Sequence, residues 1–149
     1  MNKKQKSLTN KGFSLVELII VIAIMAVLIG VLAPQYLKYV EQSRLQKDNQ
    51  AISEITNAIK IAMADETINT ATASADFKPT TKEYSFSASG TALEKELSTV
   101  VGTSVKLTSN TYSVAPEITV TKDTSTGLVT VTVKGFMSKV GASAEDKVF

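Results

Sequence analysis

The run from Phe13 to Ala33 constrains this chain more than any other stretch. Its twenty-one residues are almost wholly apolar, with a single charge, Glu17, close to the beginning. As a helix it measures about 31 Å, near the hydrocarbon thickness of a bilayer. It is long enough to span. A secretory signal peptide has an apolar region of about 7–15 residues and a small-residue cut site. This run is longer and leads into Pro34, a poor residue to follow a cut. Glu17 is the odd feature, because an acid in a spanning segment costs about 2.5–3.5 kcal/mol at the centre, less near an interface, and usually marks function. Taken alone, it would sit at headgroup level facing water, leaving Leu18 to Ala33 as a shorter apolar core.

The residues around that acid narrow the choice. Gly12-Phe13-Ser14-Leu15-Val16-Glu17, preceded by Lys11 and a lysine-rich leader, resembles the class III signal sequence of type IV pilins and pseudopilins. The resemblance covers roughly Lys11 to Leu45. It implies that a membrane prepilin peptidase/methyltransferase cuts between Gly12 and Phe13 and methylates the new N-terminus, with Glu17 becoming the fifth residue of the mature chain. It also implies the partners: membrane lipid before assembly, the pilus assembly machinery in the cytoplasmic membrane, and then further copies of the chain in a homopolymer.

The chemistry is consistent with these residues. Cleavage frees an α-amine on Phe13, with an unperturbed pKa near 8, largely cationic at neutral pH. An isolated Glu17 in an apolar filament core is costly, whereas pairing it with a neighbour's Phe13 ammonium satisfies both charges and fixes the axial register.

Composition bears on orientation, partners and catalysis. Sixteen basic residues against fourteen acidic give a formal +2, but Lys3, Lys4, Lys6 and Lys11 precede the expected cut. Without them, twelve basic residues face fourteen acidic ones, so the mature chain is about −2 by count. The leader lysines read as positive-inside residues that keep the first twelve residues cytoplasmic. Lys38, Arg44 and Lys47, beyond the span, weaken that bias, and orientation rests partly on the resemblance. The remaining lysines are scattered among acids with no basic run interleaved with aromatics, so no nucleic-acid partner is expected. The chain has no cysteine and no histidine, which excludes thiol nucleophiles, histidine bases, zinc fingers and disulfides within it. Many pilins carry a C-terminal disulfide; its absence leans the reading toward pilins of Gram-positive or clostridial type.

Beyond Pro34, Leu37, Val40, Leu45, Ile52, Ile55, Ile59 and Ala62 recur mostly at three- or four-residue spacing between charged positions, the pattern of an amphipathic helix. A single helix is predicted from about residue 14 to 65, roughly 78 Å long. Gly30 and Pro34 interrupt it, since Pro34 lacks the amide that would bond the Gly30 carbonyl and its ring crowds the same group. A mild kink is one reading; the resemblance implies local unwinding between them on assembly. Tyr36 and Tyr39 suit a membrane interface, or packing between neighbouring helices in a filament.

Residues 69–76, rich in Thr, Ala and Ser, read as a loop. The rest is a small sheet-bearing head. Glu83–Ser87 alternates as a short strand, and Thr91-Ala-Leu-Glu94 has capping-box spacing ahead of a helix to about Val101. A further strand is expected near Ser104–Thr108. Ile118–Lys122 and Leu128–Lys134 form a hairpin across the Asp123-Thr-Ser-Thr-Gly127 turn, with valines on one face and threonines on the other. Laid against Ile52, Ile55 and Ile59, the valine face enlarges a core that some 80 residues without disulfides build only modestly alone. The turn has one carboxylate where a calcium loop wants several, although some secretion pseudopilins bind calcium in their C-terminal region. Glu94 and Glu96, two apart, do not face each other. No catalytic residue, metal site or cofactor is expected.

The sequence thus predicts an α+β, type IV pilin-like fold, one long N-terminal helix packed by its C-terminal half on a small antiparallel sheet. Its parts are a leader (1–12), a transmembrane or filament-core half-helix (13–34), an amphipathic half-helix (35–68) and a head (69–149). The expected function is that of a non-enzymatic pilus subunit, anchored as a single-pass precursor and then assembled into an extracellular filament for motility, adhesion or DNA uptake. A pseudopilin of a type II secretion or competence system is the alternative, and a membrane-anchored binding domain that never polymerises the second.

Overall fold

The computed structural model describes residues 12–72 and 74–149. The leader lysines Lys3, Lys4, Lys6 and Lys11 lie outside the described residues. The chain divides into two units, one through Leu37 and one from Lys38 to Phe149.

Helix α1 runs from Leu15 to Ala62, 48 residues, with Pro34 inside it. Every described side chain up to Tyr39 is exposed, whereas from Leu45 onward a buried stripe appears. The stripe is Leu45, Ile52, Ile55, Ala58, Ile59 and Ala62, the three- and four-residue spacing expected of one buried face. The helix ends three residues before the predicted Asp65, which instead caps a second short helix. That helix, α2 (Glu66–Ala71), has the Asp65 carboxylate accepting from the Thr67 amide.

Among the described residues six strands follow: β1 (Ser74–Phe77), β2 (Glu83–Ser85), β3 (Ser104–Lys106), β4 (Glu117–Lys122), β5 (Val129–Phe136) and β6 (Glu145–Val148); α3 (Ala92–Val100) lies between β2 and β3. The main sheet has the order β1-β4-β5-β6, and β2 with β3 form a separate ribbon. All pairs are antiparallel. The β4–β5 hairpin sets Ile118 opposite Val133 and Val120 opposite Val131, all four buried; Thr119 faces Thr132 and Thr121 faces Thr130 on the other side. The expected valine and threonine faces are both present. Gly127 closes the turn at φ 71°, a conformation open to glycine without a Cβ penalty.

The buried valines join Ile52, Ile55 and Ile59 of α1 in one core, completed by Tyr84, Phe86, Leu93, Leu97 and Leu107. The capping box before α3 forms as its spacing indicated, with the Glu94 amide donating to Thr91 Oγ1 and the Thr91 amide donating to the Glu94 carboxylate.

Two readings change. The stretch at 69–76, expected as a loop, carries the end of α2 and most of β1. Strand β6 had no sequence expectation at all. Both β1 and β6 are edge strands, four residues long, and β6 is exposed throughout. An exposed charged edge has no alternating apolar signature, and that same feature protects it from further pairing. The predicted strands over 83–87 and 104–108 shorten to three residues each.

Candidate functional site

Gly12, Phe13 and Ser14 precede the first helical residue, and Glu17 lies in the first turn of α1. Together Gly12, Phe13, Ser14 and Glu17 line one open hollow. The Ser14 amide donates to Glu17 Oε2 at 2.8 Å. Ser14 is therefore the residue that caps α1, and Glu17, three residues on, reaches back to its amide, which is one half of a capping box. Negative charge here also complements the positive end of the helix dipole. Sequence reasoning found this spacing at Thr91–Glu94 and missed it at Ser14–Glu17, because the acid already had a role. Phe13 is 91% exposed, and apolar side chains from Leu15 to Leu32 stand open around the helix. A span of 18 residues or more within α1 meets the length and hydropathy of a membrane crossing.

Gly30 and Pro34 sit one turn apart within continuous helix. A Cβ at Gly30 would meet nothing within 4 Å. Packing within the chain thus places no demand for glycine at this position.

Further along α1, polar residues in pairs seven apart grip the loops of the head. Asp48 is 2% exposed and accepts from the amides of Thr108 and Ser109 and the Thr108 hydroxyl, at 2.6–3.1 Å. Glu41, two turns earlier, accepts from the amides of Asn110 and Thr111 and the hydroxyls of Ser109 and Thr111. Four successive backbone amides thus end on two carboxylates of the helix. The second pair is Gln42, accepting from the Val140 amide, and Asn49, which bonds the Met137 carbonyl and the Tyr112 hydroxyl. Sequence reading assigned no partner to the charges of this half-helix. The usable signal was the seven-residue repeat Glu41/Asp48 and Gln42/Asn49, which falls beside the apolar stripe.

Asp48→Ala should cost on the order of 3 kcal/mol, since it strands two amides that are otherwise paired. Urea unfolding of the detergent-solubilised chain reads this directly. A change within about 0.5 kcal/mol, the surface norm, would show that the loop is held by its packing alone.

The Ser109 hydroxyl, ahead of the opposing effect of burial, with help from the Asn110 and Thr111 amides, holds the Glu41 carboxyl below its ordinary 4.5. A depressed carboxyl stabilises the fold above its unfolded pKa and loses that contribution as pH falls through its folded value. The melting temperature should therefore drop as the solution is acidified below 4.5, and Glu41→Gln should flatten part of that drop. Parallel acid profiles for parent and variant would remove Glu41 from the clamp's titration. Burial likewise raises the Tyr112 hydroxyl, with Asp48 adding to the rise.

Residues 8–33 match the family model described as the prokaryotic N-terminal methylation motif. The chain therefore carries a prokaryotic N-terminal methylation signal. It is also similar to two type IV major fimbrial proteins, FimA, of Dichelobacter nodosus. One is 37% identical over 55 residues, which are 37% of this chain and 35% of the relative. The other is 34% identical over 55 residues, 37% of this chain and 34% of the relative. The matched region spans about a third of the length of these curated relatives. No solved structure matches the chain. Among the described residues no group of three or more His, Cys, Asp or Glu is gathered to hold a metal.

Proposed function

We propose that this chain is a structural subunit of a type IV pilus. A prepilin peptidase/methyltransferase cuts it after Gly12 and methylates Phe13, and the assembly machinery of the cytoplasmic membrane draws it from the lipid into a homopolymer on the cell surface. Residues 1–12 are the leader, 13–34 the membrane and filament-core half of the helix and 35–62 its amphipathic half, and the head follows from α2 onward. Its work is mechanical, not catalytic. The observation that carries this reading is the position of the prepilin signal. It ends in an apolar helix with one acid, and that acid stands in the first turn, bonded to the amide of the residue after Phe13.

In this scheme Glu17 exchanges partners. It holds the Ser14 amide in the free subunit, and in the fibre it meets the Phe13 ammonium of a neighbour, which compensates its burial. Gly30 and Pro34 unwind on assembly, since the Gly30 carbonyl already lacks an amide donor at Pro34 and no side chain at 30 resists the change.

Shearing cells that express the chain should release filaments made chiefly of it, and deleting the peptidase should abolish them while the precursor accumulates in the membrane. A chain that stays in the membrane fraction of peptidase-positive cells contradicts the proposal.

A further inference from the structure

On the head, the segment after β5 folds back onto the first turn of α1 within the second unit. The Ala142 amide donates to the Lys139 carbonyl at 3.1 Å, closing a turn in which Gly141 takes φ 78°. The Val140 amide donates to Gln42 Oε1 at 3.0 Å and fixes that turn to the helix. Lys38, Tyr39, Gln42 and Val140 line the resulting hollow. Val140 is 39% exposed and Tyr39 73%. Lys38 and Lys139 make no ion pair among the described residues. The neighbouring acid, Glu41, is occupied by the 109–111 amides and hydroxyls and by Arg44.

We infer that Lys38, Tyr39, Lys139 and Val140 form a foot that binds anionic phospholipid headgroups while the subunit waits in the bilayer. Two free ammonium groups, a tyrosine and an open aliphatic tip are the chemistry of a bilayer interface, where cations meet phosphate and amphipathic rings sit at headgroup depth. Lys38 follows Ala33, the end of the apolar run, by five residues, about 7.5 Å of helix. An anchored chain therefore keeps lipid at high effective concentration beside the foot, and a weak site suffices. A protein partner fits less well, because one exposed valine and one tyrosine fall far short of the roughly 800 Å² per side of a specific interface. The inference rests on the membrane anchorage in the proposed function and not on polymerisation.

The chain has no cysteine, so Ser138→Cys provides a single site for a polarity-sensitive dye on the full-length protein. It would be reconstituted into vesicles of phosphatidylcholine alone or of an equimolar mixture with phosphatidylglycerol. Emission should shift to the blue, with quenching by headgroup-borne nitroxides, only in the mixed vesicles, and the shift should fade in salt as screening shortens. Lys38→Gln and Lys139→Gln should each lower the ratio of contacted to free foot roughly fivefold, whereas Lys95→Gln on α3 should leave it unchanged. Identical emission in both vesicles, or a double variant that behaves as the parent, overturns the inference. A shift that grows only with protein-to-lipid ratio overturns it as well, in favour of a second copy. Flotation separates this from the pilus reading: a chain that floats with vesicles but shows no lipid-dependent shift sinks the foot alone, while one that does not float sinks both.

Discussion

Glu17→Ala should abolish surface filaments and leave the chain in the membrane. Removing one member of a buried charge pair costs about 3–5 kcal/mol, because the remaining charge stays buried without compensation. For each subunit added, that is a loss of roughly a hundred- to several-thousand-fold in the elongation constant. Insertion moves the opposite way, since an acid in lipid is unfavourable and alanine is not. Glu17 also supports the cap of α1 by accepting from the Ser14 amide, and loss of that support costs only about 1 kcal/mol. Glu17→Gln distinguishes the two roles, because the amide oxygen still accepts from Ser14 while the charge is gone. Both variants should fail to assemble. Filaments from the glutamine variant with none from the alanine variant would assign the residue to capping, and filaments from both would remove it from assembly.

Ile55→Asp should unfold the head. Ile55 is fully buried where α1 meets the sheet, in one core with Ile118, Val120, Val131 and Val133. Losing the aliphatic side chain costs about 2–5 kcal/mol. Leaving a carboxylate among valines adds several more, or forces it to bind a proton. A domain of this size has about 5–15 kcal/mol in total. Limited proteolysis and thermal melting of the detergent-solubilised chain read the outcome, with Asn57→Asp, on the exposed face of the same helix, as the tolerated control. A cooperative transition near the parent's would mean that the sheet does not depend on α1 for its core.

What the residues revealed in advance follows from how burial marks a sequence. Leu45, Ile52, Ile55 and Ile59 announce a helix face because one side of them meets the core. Val131 and Val133 announce a strand because alternate residues do. Thr91 and Glu94 announce a helix start because a cap needs its acid three residues on. Strand β6 is held by pairing with β5, by the Phe149 amide donating to the Val131 carbonyl, and by Lys147 over the rings of Phe136 and Phe149. None of these imposes a period on Glu145–Val148, so the strand was illegible. Helix α2 is shorter than two turns and buries only Ile68, too little to show periodicity. The clamp at Glu41 and Asp48 escaped because a carboxylate on a helix ordinarily faces water, and only the fold supplies the amides that make burial affordable. At the N-terminus the order was reversed. The motif at Gly12, Phe13 and Glu17 was legible because it lies within a fixed N-terminal methylation motif, and to it the fold adds the bond from the Ser14 amide to Glu17.

The most direct measurement is the intact mass and terminal sequence of the chain recovered from sheared cell-surface material. It should begin at Phe13 and carry one additional methyl group on the terminal amine. A chain beginning at Met1, or cut anywhere other than after Gly12, would contradict the proposal that cleavage creates the cation that Glu17 meets.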